Sequence, residues 1–343
     1  MNEFFHPLVS YCILTYNQQS YVEDAIKSAL MQDYSPLEII ISDDCSTDAT
    51  FEVIRKTIQQ YSGPHRIVLN RNAQNMGLMK HYNFVFRELA SGQWIVNAGG
   101  DDSSFPHRVS TLMSVLDKDT DVLAIGSSYY IIDANGEILS RSAPIEGIQV
   151  RSFLDHQKKF PILLHGATAM WNRNLFKKKI LGATEDVTLE FRAMLHGKVL
   201  FVPDVLVKYR MHDKNLSGRI HVKDWRHKRY VPFRVAYSTM TDDAVRQLPV
   251  IENNVRCCKE EMLDLGCNNV PHTVKKNINY FLRWQYSMVY FSLPYLKKLD
   301  VICLYLAFGR IRQALLFLVL LFPRLYWATK LLYNNFRSIF CCR

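Results

Sequence analysis

The sequence predicts an α/β fold, a mostly parallel sheet flanked by helices, followed by a basic helical extension. Two observations predict it. Over the first 130 residues short apolar runs alternate with amphipathic stretches, the pattern of successive βα units. After Ser217 the composition turns basic and aromatic. A chain of 343 residues holds one large domain plus an appendage, because single cores stop growing near about 250 residues. The boundary is placed near residue 220, giving segments 1–220 and 221–343.

In order along the chain, Val9–Thr15 reads as a buried strand and Tyr21–Gln32 as a helix with Val22, Ala25, Ile26, Ala29 and Leu30 on one face. Leu37–Ser42 is predicted as the second strand. A helix from about Ala49 to Tyr61 is entered through Ser46, Thr47 and Asp48 as capping residues. Arg66–Asn70, Met79–Leu89 and Trp94–Asn97 follow as strand, helix and strand, the last running into Gly99-Gly100-Asp101-Asp102. Beyond Arg151 the regularity loosens. Gly166–Trp171 is predicted as a strand, Glu185–His196 as a helix capped by Thr184, and Val199–Phe201 and Leu206–Tyr209 as short strands.

Hydrophobic residues at 48% and charged residues at 22% argue against both wholesale disorder and a polytopic membrane protein. The net charge of +10 is uneven. Residues 1–220 carry 23 Lys and Arg against 24 Asp and Glu, whereas residues 291–343 carry 8 against 1. A basic tail calls for an anionic partner, and no nucleic-acid-binding motif accompanies it, so the membrane surface is the expected partner. The uninterrupted apolar stretch from Ala314 to Pro323 is 10 residues, short of the roughly 20 that span a bilayer. Arg312, Arg324, Tyr326, Trp327 and Tyr333 surround it, which predicts an interfacial helix; the alternative is a helix packed on the first domain or on a second copy in a homo-oligomer. Eight cysteines without a CxxC pair, and an amino terminus without a signal-type apolar core, predict residence in a reducing cytoplasm, at the inner face of the plasma membrane.

Carboxylates mark the ends of two predicted strands. Adjacent carboxylates such as Asp101-Asp102 repel one another unless a cation or hydrogen-bond donors compensate them. Mg²⁺ or Mn²⁺ bridging two phosphates would do so, the alternative being a solvated turn that caps the next helix. Asp43-Asp44 could accept the imide N–H of a uracil or thymine ring, or simply cap a helix. In open α/β sheets ligands bind outside the carboxyl ends of the strands, so both pairs fall at one crevice. Glu185 and Asp186 open a helix whose positive end favours an ionised carboxylate, a usable general base or merely a dipole complement. Tyr209-Arg210-Met211-His212 follows a strand and places cationic groups where a diphosphate could be held, against a structural role for the histidine.

Together these stretches resemble the family-2 inverting glycosyltransferases with the Rossmann-like GT-A fold, over about residues 8–220. The resemblance rests on ordered motifs: Thr15-Tyr16-Asn17, Ile41 through Asp48, Asn75-Met76-Gly77 with Asn83, Asp101-Asp102 with Pro106 and Arg108, Glu185-Asp186 with Arg192, and Tyr209-Arg210 with His212 and Asn215. It implies that Tyr16 packs on the nucleotide base and Asp44 hydrogen-bonds it. Asp102 would hold a divalent cation, Mn²⁺ or Mg²⁺, on the donor diphosphate, with Asp101 near the ribose or sugar. Asp186, beside Glu185, would take the proton from the acceptor hydroxyl. Lys80 and His212 lie where the diphosphate would be contacted. The implied reaction moves a sugar from a UDP- or dTDP-sugar donor to a saccharide or lipid-linked saccharide, as in surface-polysaccharide assembly. One departure stands out: many members carry an Asp two positions before the final pair, where this chain has Gly99. Two alternatives are a sugar-nucleotide nucleotidyltransferase, which needs a Gly-rich basic loop where TYNQQSY stands, and a nucleotide-binding homologue without turnover.

Overall fold

The structure is a computed structural model that describes residues 6–116, 121–142, 146–153, 164–182, 184–212, 252–262 and 272–285. The described residues between 6 and 153, with 164–212 and 256–262, form one compact unit; 252–255 and the helix His272–Gln285 belong to a second. The boundary expected near 220 and the apolar stretch around 314–323 lie outside the described residues. Among those described, no helix is long and apolar enough to cross a membrane.

The first half is built of βα units. β1 (Val9–Thr15) and β2 (Leu37–Asp43) are buried at every position, as strands covered on both faces must be. Their neighbours β3 (Arg66–Arg71) and β4 (Trp94–Gly99) complete a parallel block in the order β3-β2-β1-β4. α1 (Val22–Leu30) and α2 (Thr50–Gln59) pack together. The expected face of α1 is buried through Val22, Ala25, Ile26 and Ala29. α3 (Leu78–Phe84) continues into a π-helical turn, Val85–Leu89.

The second half is mixed. β5 (Ser103–Ser104) and α4 (Arg108–Leu116) precede β6 (Val122–Ile132), whose edge carries β7 (Ile138–Arg141). β8 (Gln149–Arg151) pairs with β10 (Lys198–Arg210), which runs parallel to β6. Between the halves, β9 (Met170–Asn172) is antiparallel to both β4 and β6 and joins everything into one sheet. α5 (Glu185–His196) packs on β6 and β10.

Three expectations are corrected. The two short strands predicted around Val199 and Leu206 are one strand, irregular near Pro203, where the missing N–H interrupts the ladder. The strand predicted from Gly166 begins only at Met170. Residues 166–168 form a 3₁₀ turn, closed by the Thr168 N–H and hydroxyl both donating to the His165 carbonyl. At α2 the N-cap is Ala49, which has no capping side chain; Asp48 just before it accepts from the Thr50 N–H at 2.9 Å, and the Ser46 hydroxyl donates instead to Asp43. α4 and β6 had no counterpart in the sequence reading, although Val109, Leu112, Met113 and Leu116 are buried at helical spacing.

One buried carboxylate ties the starts of β1 and β2 to the turn before β4. Glu38 is 1% exposed and accepts from the Ser10 hydroxyl, the Ser91 N–H at 2.7 Å and the Ser91 hydroxyl at 2.8 Å. Burial opposes its ionisation, but these bonds and Arg66 prevail and hold its pKa below the ordinary glutamate value. Glu38→Leu, which strands three donors, is expected to lower unfolding stability by about 2 to 3 kcal/mol, read as a shift of the urea midpoint.

Candidate active site

The parallel register brings the carboxyl ends of β1, β2 and β4 side by side, pairing Thr15 with Asp43 and Leu14 with Gly99. The loops leaving β1 and β2 are held to each other: the Asn17 N–H donates to Ser46 Oγ at 2.9 Å and the Thr47 N–H to Asn17 Oδ1 at 2.8 Å. Asn17 and Cys45 both adopt left-handed backbone, with φ of 52° and 60°, so non-glycine strain gathers at this crevice.

The two members of the first carboxylate pair differ. Asp43 is fully buried and accepts from the Thr15 and Ser46 hydroxyls and the Ser46 N–H, with Arg71 3.5 Å away, so it is a structural anchor. Asp44 faces the loop before α3. Its Oδ1 accepts from Asn72 Nδ2 at 2.7 Å and the Met76 N–H at 2.9 Å, and its Oδ2 from the Gly77 N–H at 3.0 Å. Three of about four lone-pair sites are thus used, leaving one on Oδ2. Tyr16 is 44% exposed directly after β1, and Lys80 is exposed near the start of α3.

The second pair is gripped by the end of β10. Asp102 Oδ1 accepts the Arg210 N–H at 2.8 Å, and Arg210 Nε donates to the Asp101 carbonyl at 2.9 Å. The Arg210 guanidinium also reaches Asp24 at 3.2 Å and lies over the Tyr21 ring. It is therefore an internal clamp, engaged on several sides. His212 Nε2 is 3.0 Å from Asp101 Oδ2, and its ring stacks on Tyr21 with centroids 4.7 Å apart. Burial, then the Asp101 charge, push Asp102 well above the usual carboxylate range. The nearby cation Arg108, 1% exposed and bonded to the carbonyls of Asn97 and Ala169, opposes that shift.

Gly99 lies beneath this pair. A Cβ on it would stand 2.7 Å from Asp101 Oδ1 and 3.4 Å from Asp102 Oδ2, so both oxygens lean over a backbone position that carries no side chain. That cradle of two carboxylate oxygens fits a hard divalent cation whose other ligands come from phosphates. Among the described residues no group of three His, Cys, Asp or Glu is placed to hold a metal by itself.

β4 also reaches the amino terminus of α5. Asn97 Nδ2 donates to Glu185 Oε1 at 3.3 Å and to the Gly166 carbonyl at 3.1 Å. Glu185 is buried, and burial followed by the Asp186 charge raises its pKa to about 8, despite hydrogen bonds from Tyr82 and Asn97. Asp186 is half-buried. Burial raises it too, while the Val187 N–H, at 2.8 Å, and Thr184 favour its ionised form. Thr184 makes no side-chain capping bond, its hydroxyl being turned to Asp186. One turn on, Glu190 is wholly buried and accepts the Leu164 N–H at 2.8 Å. A cleft of about 560 Å³ lined by Arg87, Gln93, Arg173 and Lys177 lies instead at the amino-terminal end of β4, away from all these carboxylates.

Sequence reasoning singled out both carboxylate pairs, Glu185-Asp186 and His212. It missed Asn97, Tyr82 and Glu190. Glu190 had a signal, being four residues after Asp186 in a predicted helix; Asn97 and Tyr82 had none.

A family model described as glycosyl transferase family 2 matches residues 10–180. An uncharacterised glycosyltransferase of Rickettsia typhi is 30% identical over 223 residues, spanning 62% of this chain and 67% of the relative. The chain belongs to glycosyl transferase family 2. The putative glycosyltransferase EpsE of Bacillus subtilis is 31% identical over 148 residues, which cover 42% of this glycosyltransferase and 52% of EpsE. The chain thus spans about two thirds of one curated relative and about half of the other. Among solved structures, S. aureus TarS in complex with UDP-GlcNAc matches with a TM-score of 0.54 at 16% identity, covering 88% of this chain and 80% of that one. The mannosyltransferase PcManGT of Pyrobaculum calidifontis, in complex with GDP-Man and Mn²⁺, matches with 0.52 at 15%, covering 95% and 84%. The fold of this glycosyltransferase is therefore GT-A.

An acid whose pKa is higher in the folded chain than in the unfolded one binds its proton more tightly when folded. Stability contributed by protonated Glu185 is thus full below about pH 4.3 and lost as pH rises through about 8. Burial lowers His165 to about 4, which acts in the opposite sense only below its ordinary value near 6.5. Between those limits, from about pH 6.5 to about pH 8, melting temperature should fall, and Glu185→Gln should flatten the decline. A slope unchanged by the substitution would exclude a buried, neutral Glu185.

Proposed function

We propose that the chain transfers a sugar from a nucleoside-diphosphate sugar, uridine or thymidine linked, to a hydroxyl of a saccharide or lipid-linked saccharide with inversion at the anomeric carbon. The observation that carries this reading is the link through β4 between two acidic centres: Asp101 and Asp102 lean over Gly99, and Asn97, two residues earlier, holds Glu185 beside Asp186.

Tyr16, exposed at the end of β1, offers its ring to the base, and Asp44 has one acceptor position left for the imide N–H. Asp101 and Asp102 would hold Mn²⁺ or Mg²⁺, which when bound supplies positive charge to the departing diphosphate. His212, fixed on Asp101, stands at the same edge, and Lys80 is a further candidate for the phosphates. Two carboxylates as close as Glu185 and Asp186 do not both ionise readily, and the buried one keeps its proton. Asp186 is then the base and Glu185 the neutral group that orients the helix start. Asp186 takes the proton of the acceptor hydroxyl as its oxygen bonds to the anomeric carbon, and the bond from that carbon to the diphosphate oxygen breaks with its electron pair leaving on the diphosphate. The charge surplus in residues 291–343 supports a peripheral place on an anionic cytoplasmic leaflet.

A panel of nucleotide sugars, assayed with Mn²⁺ and with the metal chelated, tests the reading. Asp186→Asn is expected to lower transfer by about 10² to 10⁴ while UDP still binds, and Asp102→Ala to abolish the response to Mn²⁺. Turnover equal to the wild type in Asp102→Ala would contradict the assignment; no turnover in the wild type with any donor would leave a nucleotide-binding homologue.

A further inference from the structure

Three aromatic rings meet on segments that adjoin the two acidic centres, and the reaction above gives them no task. Tyr129 comes from β6, Tyr209 from β10 and His165 from the segment before β9. The His165 ring centroid is 4.6 Å from that of Tyr129 and 4.5 Å from that of Tyr209, and the two tyrosine rings are 5.8 Å apart. All three residues are half-buried.

Their place is fixed from both sides. Tyr209 directly precedes Arg210, whose N–H is bonded to Asp102. His165 directly precedes Gly166, where a Cβ would stand 2.5 Å from Glu185 Oε1, so only glycine lets this segment lie against the carboxyl of α5. The segment is pinned as well as close. Leu164 donates its N–H to Glu190 at 2.8 Å, the Gly166 carbonyl accepts from Asn97 at 3.1 Å, and Thr168 closes the turn on the His165 carbonyl at 2.9 Å. A ring mounted on so constrained a backbone is preorganised.

The chemistry of the cluster is that of a neutral surface. Burial lowers the His165 pKa and raises that of Tyr129, so neither ring carries charge near neutral pH. Aromatic faces are electron-rich, and the ring C–H groups of a pyranose are their electropositive counterpart, while tyrosine hydroxyls can meet sugar hydroxyls. Saccharides need this combination of apolar face and polar rim, and small-molecule sites are typically aromatic-lined with a few converging polar groups.

We propose that Tyr129, His165 and Tyr209 form the platform on which the sugar ring of the acceptor rests, so that the acceptor presents a pyranoside to Asp186 and not a bare lipid or peptide hydroxyl. This rests on the sugar-transfer reading given above. The test uses the full chain with side-chain-labelled histidine and tyrosine, saturated with UDP and Mn²⁺ and titrated with methyl β-glucopyranoside, methyl β-N-acetylglucosaminide and methyl α-mannopyranoside. At least one glycoside is expected to shift the ring resonances of His165. Tyr129→Leu should weaken its binding by about three- to tenfold, whereas Tyr129→Phe, which keeps the ring, should weaken it less. Glycoside binding that leaves His165 unmoved, no glycoside binding at all, or equal losses in the Leu and Phe variants would overturn the platform while UDP binding still upholds the donor site. Failure of UDP, GDP and dTDP alike to bind the wild type would instead bring down the sugar-transfer reading on which the platform depends.

Discussion

The bond from the Arg210 N–H to Asp102 Oδ1 is the interaction on which the rest of the site depends. β10 is thirteen residues long and belongs to the second half of the sheet, yet its last residue reaches the turn that ends β4 in the first half. The same residue's guanidinium holds the Asp101 carbonyl and the carbonyls of Asp133 and Ala134, so one arginine fixes two loops. Without that convergence Asp101 and His212 would sit on separate, exposed loop ends, free to drift out of register.

Electrostatics then sorts the carboxylates by what surrounds them. Asp43 is saturated by hydroxyls and an amide and belongs to the scaffold; Asp44 is nearly saturated and keeps one acceptor position. Asp102 is buried with a like charge next to it, which opposes ionisation more strongly than the buried arginine behind it favours it and leaves a demand for added positive charge. Glu185 meets the same conflict with its pKa pushed up to about 8 by burial and the Asp186 charge, so it keeps its proton near neutral pH. Pairs of acidic residues that read alike in sequence thus divide by burial and hydrogen bonding: Asp43 is saturated where Asp44 keeps one acceptor position, and Glu185 is buried where Asp186 is half-buried.

The parallel block was legible because β1 and β2 are short, mostly apolar runs and α1 shows a clean helical face, local signals that need no knowledge of the partner. The second half was less so. β10 is interrupted by Pro203, and a window reader sees two strands where the ladder skips a step and continues. β9 is three residues long, too short for any period to show, and its reversed direction depends on both neighbours. The carboxylates were visible as residues, since charge pairs at strand ends are rare enough to notice. What holds them was not: Asn97 and Tyr82 act across 88 and more positions of sequence, and no local pattern distinguishes an asparagine that braces a glutamate from one in a turn.

Gly99 carries a consequence for how such a site can vary. The volume that a side chain at residue 99 would claim is already taken by the Asp101 carboxylate. The two positions therefore behave as one unit of inheritance. A side chain introduced at 99 would press on Asp101 Oδ1, and Asp101 would have to give way from its place beside His212 to admit it. A change at residue 99 is thus read through the position of the Asp101 carboxylate.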